Sequence, residues 1–151
     1  MFKNIKKRSE GFTIIEVLIV LAIAGLIMLI VYLAVPALQR NSRNTAIKND
    51  VSNAVGGVAE FQAANSGSMP TGIAGTGTVA YTGAAGTNAT SAKVQGSTIV
   101  NTVAAAPAAV ALGTISIRLG FDCTPTANTR AVAAYYSIEA TSGAVLQCQS
   151  S

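Results

Sequence analysis

The sequence predicts an α+β fold, a long N-terminal α-helix packed on a small antiparallel β-sheet of about four strands. Three observations predict it. Val17 to Leu38 is a run of 22 residues without a charge, with Tyr32 as its only polar side chain. From Ile47 to Phe61 apolar side chains recur every three or four residues, the spacing of one helix face. After residue 97, short segments alternate apolar and polar side chains between turn residues, as half-buried strands do. The expected organisation is a leader at 1–11, a transmembrane half-helix at 12–38 and an amphipathic half-helix at 39–65. A long loop at 66–98 and a sheet with a C-terminal disulfide loop at 99–151 complete it.

At about 1.5 Å per residue the uncharged run is roughly 33 Å long, enough for a hydrocarbon core of about 30 Å. Lys3, Lys6, Lys7 and Arg8 precede it, so its N-terminal end is expected on the cytoplasmic side. Glu16 sits at that lip. An acid at the bilayer centre costs about 2.5–3.5 kcal/mol on insertion scales, so Glu16 either stays at the interface or meets a cation. No Lys or Arg lies between Gly11 and Gln39. A cut after Gly11 would create an ammonium group on Phe12, four residues from Glu16. That amine would suit the Glu16 of a neighbouring, staggered helix.

The stretch Lys-Lys-Arg-Ser-Glu-Gly followed by Phe-Thr-Ile-Ile-Glu-Val-Leu-Ile-Val-Leu-Ala-Ile-Ala-Gly resembles the start of a type IV prepilin. The resemblance covers about the first 30 residues: basic leader, Gly11, Phe12, Glu16 five residues past the glycine, then the apolar run. It implies cleavage after Gly11 by a membrane prepilin peptidase and methylation of the new Phe12 amine. It gives Glu16 a role in that methylation and in docking onto the filament end. It also implies a homo-oligomeric helical filament built by an assembly platform in the membrane. The chain would be a single-pass protein of the cytoplasmic membrane first and an extracellular pilus subunit afterwards. In filaments of this family the helix is often partly unwound between comparable glycine and proline positions, here Gly25 and Pro36.

Composition narrows the classes further. The formal charge of +4 is concentrated in the leader, which holds four bases against Glu10; the remainder is net +1. The basic balance therefore reports topology rather than nucleic-acid binding. DNA uptake stays open as a pilus function, but no basic stripe interleaved with aromatics supports it. A secretory signal peptide would carry an apolar region of about 7–15 residues. The run here is too long for that, although Val35-Pro36-Ala37 has small residues suited to a cut. An uncleaved single-pass anchor is the other alternative.

Along the chain, one helix is expected from Phe12 to about Ala64. Pro36 lacks an N–H and crowds the Tyr32 carbonyl, so loosening is expected there, with Gly25 a second weak point. In the amphipathic half Ile47, Val51, Ala54, Val55, Val58 and Phe61 or Gln62 form one stripe. Gly56-Gly57 costs helix stability, about 1 kcal/mol per residue. Gly56 lies opposite Ile47, which fits either close helix–helix approach in a filament or a flexible point. Asn65-Ser66-Gly67 ends the helix, with Pro70 close behind. Residues 66–98 are rich in Gly, Ala, Ser and Thr and read as an exposed loop, Thr78 to Thr82 being the only strand-like piece. This hydroxyl-rich stretch suits O-glycosylation or a bare loop equally. Asn88-Ala89-Thr90 fits an N-glycosylation pattern too short to weigh much. Strands are expected at Ser97–Val103, Thr114–Leu119, Ala131–Glu139 and Ala144–Cys148, the last two joined by Thr141-Ser142-Gly143.

The chain has no His, so Cys123 and Cys148 lack the usual base for thiol catalysis, and two cysteines alone make no zinc site. With the head across the membrane a disulfide is the expected state, two free thiols being the alternative. It would stabilise by about 3.5 kcal/mol in the chain-entropy model. Many pilins close a C-terminal loop this way, whereas many pseudopilins do not. Asp122, Asn128 and Glu139 are the candidate oxygen ligands for calcium near the C-terminus, but no dense run of oxygen ligands accompanies them. No paired carboxylates or phosphate loop appear, so no enzyme, cofactor or metal is expected. The leading expectation is a major pilin. The alternatives are a pseudopilin of a type II secretion or competence system and a monomeric membrane-anchored binding module.

Overall fold

The computed structural model of this chain describes residues 11–124 and 126–151. Apart from Gly11, the expected leader lies outside the described residues. One helix, α1, runs Ile14–Ala64, and the chain divides between Leu38 and Gln39 into two units.

In the first unit the large apolar side chains from Ile14 to Leu38 are all exposed. A helix hydrophobic all round that buries nothing within its own chain needs lipid or other helices as its solvent. By length and composition it is able to cross a membrane. Its backbone stays helical through Gly25 and Pro36, the two positions where loosening was expected.

In the second unit the amphipathic half of α1 buries the stripe Ile47, Val51, Ala54, Val55, Val58 and Phe61. The helix ends as expected: Gly67 donates its N–H to the Gln62 carbonyl at 2.7 Å, and Ser66 and Gly67 both adopt positive φ. Opposite the stripe lies a sheet of seven strands: β1 (Gly72–Thr76), β2 (Thr78–Thr82), β3 (Thr90–Lys93), β4 (Ile99–Thr102), β5 (Thr114–Phe121), β6 (Ala127–Ala140) and β7 (Gly143–Ser150). Their order is β3-β2-β1-β4-β5-β6-β7, antiparallel except for the parallel pair β4–β5.

The α+β class holds, but three details of the expectation are corrected. The sheet has seven strands rather than about four. The stretch 66–98, expected as a loop with one strand-like piece at Thr78–Thr82, contributes β1 and β3 besides that piece, β2. The sheet is mixed rather than purely antiparallel. The glycines of β1 and the alanine and lysine of β3 hid those two strands, being poor strand formers, whereas β2 is the strand-like piece expected at Thr78–Thr82. What makes them strands is pairing: β1 lies between β2 and β4, and its Ile73 joins Val79 and Tyr81 of β2 in the buried core. The parallel pair follows from residues 103–113, which run from the end of β4 back to the start of β5. Within that stretch Val110 packs on Ala133 and Tyr135, on the face of the sheet turned away from α1, and its carbonyl accepts the Ser137 hydroxyl at 2.6 Å.

The inner face meets α1 through Ile73, Val79, Tyr81, Val100, Ile115, Ile117, Val132 and Ala134, which cluster with the helix stripe. Tyr81 reaches deepest. It is fully buried and donates its hydroxyl to the Ala54 carbonyl at 2.7 Å. Burial, with the nearby Glu60 carboxylate adding to it, keeps this phenol protonated far above its ordinary range. Its ring tip occupies the space where a Cβ on Gly57 would stand, 2.3 Å from the hydroxyl oxygen. Gly56, expected as either a point of helix–helix approach in a filament or a flexible point, has nothing of its own chain within 4 Å of its Cβ position. Of these two neighbours, Gly57 is therefore the one that packing within the head requires to be glycine.

Candidate processing and assembly site

The N-terminal site is built on the first turn of α1. Thr13 precedes the helix, and its hydroxyl accepts the Glu16 N–H at 3.3 Å. Glu16 answers with one oxygen, Oε2, which accepts the Thr13 N–H at 2.9 Å and the Thr13 hydroxyl at 2.7 Å. This is a reciprocal capping box, which satisfies amide groups that the helix start would otherwise leave unpaired. It also places a carboxylate at the positive end of the helix dipole. The signal was present in the sequence as Thr-x-x-Glu ahead of an apolar run.

The geometry leaves the second oxygen of Glu16, Oε1, without a hydrogen bond among the described residues. Phe12 is exposed immediately upstream, and Gly11 has open space around its Cβ position. The Gly11–Phe12 pair, the expected cut site, is thus accessible, and the acid keeps one oxygen without a hydrogen bond on the exposed surface of the helix. Among the described residues no hydrogen bond or ion pair joins a cation to it; Arg43 pairs instead with Glu139.

In the head, polar side chains of α1 fasten the helix to the sheet. Arg43 donates from Nε and Nη2 to the two oxygens of Glu139 at 2.6 and 2.7 Å. These hydrogen bonds hold the Glu139 carboxyl below its ordinary pKa and raise that of Arg43. Asn44 brackets the Glu139 backbone, accepting its N–H at 2.7 Å and donating to its carbonyl at 2.8 Å. The buried Asp50 accepts the Thr98 hydroxyl at 2.5 Å and the Gln95 N–H at 3.1 Å. At the helix end Asn65 accepts the Asn88 N–H at 2.6 Å, and the Asn88 side chain donates to the Ala64 carbonyl at 3.2 Å. The asparagine of the glycosylation-like triplet therefore ties the β2–β3 loop to the helix.

Cys123 and Cys148 form a disulfide with a Cα–Cα separation of 5.8 Å. Cys148 packs with Leu146 beside Ala133 and Tyr135. The bond fastens the β5–β6 connection over β7, where the β5–β6 register slips between Leu119 and Phe121. The three residues weighed for calcium are not brought together. Glu139 is committed to Arg43, Asn128 accepts the Arg130 N–H at 3.2 Å, and Asp122 accepts the Thr124 hydroxyl. Asn128 and Glu139 are separated by eleven positions of β6, roughly 35 Å of extended strand. Arg118 stacks on the Phe121 ring at 3.3 Å and donates to the Ala104 carbonyl. It is occupied by local packing.

A membrane-capable helix that opens on a capping box beside an accessible Gly-Phe pair, followed by an α+β head, fits a membrane-anchored protein. Among known families, the prokaryotic N-terminal methylation motif matches residues 6–32. The chain carries this motif, the class III signal peptide motif of type IV pilins, which supports a pilin-like or pseudopilin precursor and points to a structural protein. Comparison with curated proteins and with solved structures returned no match.

Proposed function

We propose that the chain is the major structural subunit of a type IV pilus, cut after Gly11, methylated on Phe12 and polymerised through its apolar helix. One observation carries this reading. The methylation motif leads directly into a fully exposed apolar helix whose single acid, Glu16, keeps one oxygen unbonded next to the cut site.

The physics of assembly follows. Before cleavage the leader bases hold the N-terminus on the cytoplasmic side, and lipid covers the apolar surface. Once the leader is gone, the helix exchanges lipid for copies of itself at little hydrophobic cost, because its surface stays in apolar surroundings. The new Phe12 amine of one subunit then meets the free Oε1 of another subunit's Glu16, which satisfies a charge that low dielectric would otherwise penalise. Packing of the helices is the setting in which Gly25 to Pro36 unwinds, since neighbouring helices can satisfy the backbone groups that Pro36 leaves without a donor. The disulfide favours a pilus over a secretion pseudopilus, because an exposed fibre gains most from a head that resists unfolding. Adhesion, twitching motility and DNA uptake are the functions such a fibre serves.

Mass spectrometry of the mature chain tests this directly. A subunit beginning with N-methylated Phe12, recovered from abundant extracellular filaments, is the expected result. A chain beginning at Met1, or no filament at all, would overturn it.

A further inference from the structure

Val17 to Leu38 offers a neighbouring helix almost nothing but apolar surface, and Tyr32 is its only polar side chain. Tyr32 is 79% exposed, and its hydroxyl has no hydrogen bond among the described residues. Pro36, four residues on, carries no N–H, so the Tyr32 carbonyl lacks the donor that would close its helical turn. We infer that these two groups answer each other between copies: the Tyr32 hydroxyl of one subunit donates to the Tyr32 carbonyl of a neighbouring subunit. The inference deepens the assembly proposed above and rests on it, since the partner is a second copy of the apolar helix.

Chemistry selects that partner. In hydrocarbon neither group finds water, and each stays unfavourable until a protein group supplies its complement. Lipid tails hold no donor and no acceptor. Along the uncharged run a second copy offers one side-chain donor, Tyr32, and one carbonyl deprived of its helical donor, also that of Tyr32. Tyr32 and Pro36 share a face, where they line one open concavity with Ile27, Met28, Val31 and Val35. A helix seated on that face meets the tyrosine and the proline together.

Direction and stagger agree with the contact. A tyrosine near a membrane boundary commonly keeps its hydroxyl among the headgroups. Tyr32 stands six residues, about 9 Å, short of Leu38. Helical side chains lean toward the N-terminus, so its hydroxyl is turned deeper into the apolar run, away from that boundary. Pairing the Phe12 amine of one copy with Glu16 of the next displaces the parallel helices by four residues, about 6 Å. A tyrosine reaches back about one helical turn, which brings the hydroxyl of the displaced copy level with the Tyr32 carbonyl of its neighbour. Loosening between Gly25 and Pro36 would free further carbonyls, and this one lacks its helical donor in either state.

The test measures self-association of the full mature chain in phosphatidylcholine vesicles, by energy transfer between copies labelled at the C-terminus. Tyr32→Phe, which removes only the hydroxyl, should weaken association about three- to tenfold, the range of one hydrogen bond between helices in a bilayer. In a Pro36→Ala background the alanine N–H closes the turn, and the same Tyr32→Phe change should then cost less than about twofold. Tyr-Leu occurs once in the chain, at Tyr32-Leu33, so isotope labels on the tyrosine carbonyl and the leucine nitrogen isolate this one carbonyl in solid-state NMR. Phe-Leu occurs nowhere in the chain, so Tyr32→Phe is read in the same way. That resonance should move upfield in Tyr32→Phe when Pro36 is present and stay in place in the Pro36→Ala background. Unchanged association in Tyr32→Phe, or an equal loss with and without Pro36, would overturn the inference; an equal loss is what interfacial anchoring or ring packing produces. A wild-type chain that stays monomeric in the vesicles overturns the assembly reading, and this contact with it.

Discussion

Gly56 and Gly57 are neighbours on one helix, yet alanine at each should change stability in opposite directions. A Cβ on Gly57 would stand 2.3 Å from the Tyr81 hydroxyl oxygen, 2.4 Å from Cζ and 2.7 Å from Cε2. Tyr81 is fully buried, so its ring must move by more than 1 Å inside a packed core. Overpacking of this kind costs about 1–3 kcal/mol. The shift also pulls the hydroxyl from the Ala54 carbonyl, and a buried unpaired donor costs about 1–3 kcal/mol more. Against this stands a gain of about 1 kcal/mol in helix propensity. The net for Gly57→Ala is about 3 kcal/mol of destabilisation. Gly56→Ala meets nothing within 4 Å and keeps only the gain, about 1 kcal/mol of stabilisation. For a head of this size the two correspond to about −12 °C and +4 °C in Tm. Guanidinium unfolding of the mature chain in detergent reads the difference, followed by near-ultraviolet circular dichroism of the head tyrosines. Tyr81→Phe added to Gly57→Ala should recover little, because the Cζ and Cε2 clashes remain. If Gly57→Ala matches the wild type within about 0.5 kcal/mol, or both alanines shift stability the same way, the packing account of Tyr81 is wrong.

Other outcomes follow from the same geometry. Because Arg43 lowers the folded-state pKa of Glu139, their contribution is fully present above the ordinary carboxylate pKa of about 4.3 and is lost as pH falls through the lower folded value. Glu139→Gln should flatten that acid limb in unfolding midpoints taken from about pH 7 to 3; an unchanged limb would discount the pair. Reducing Cys123–Cys148 should lower head stability by about 3.5 kcal/mol, seen as a lower midpoint in guanidinium. Asp50→Ala should cost about 2–4 kcal/mol by stranding the Thr98 hydroxyl and the Gln95 amide, and hydrogen exchange at Gln95 should accelerate. Glu16→Ala should abolish filaments while shifting head stability by less than about 0.5 kcal/mol; normal filaments would remove the proposed amine contact.

The sequence by itself determined the features that depend on local pattern. The uncharged run, the basic leader, Gly11, Phe12 and Glu16 are contiguous, so their spacing carries the processing motif without any fold. The helical stripe from Ile47 to Phe61 was legible because three-and-four spacing exposes one buried face, and the stop at Gly67 because glycine accepts positive φ. Tertiary structure decided what depends on distant partners. Of the three strands in 66–98, β2 was legible at Thr78–Thr82, but β1 and β3 were hidden because glycine, alanine and lysine have weak strand preference, and pairing with their neighbours and burial of Ile73, Val79 and Tyr81 order them. The parallel β4–β5 pair depends on Val110 finding the outer face of β6, which no local pattern records. The partners of Arg43 and Asp50 lie 96 and 48 residues away. Gly57 is a close contact within the head because a tyrosine from another strand fills its notch, and burial is a property of neighbours, not of composition.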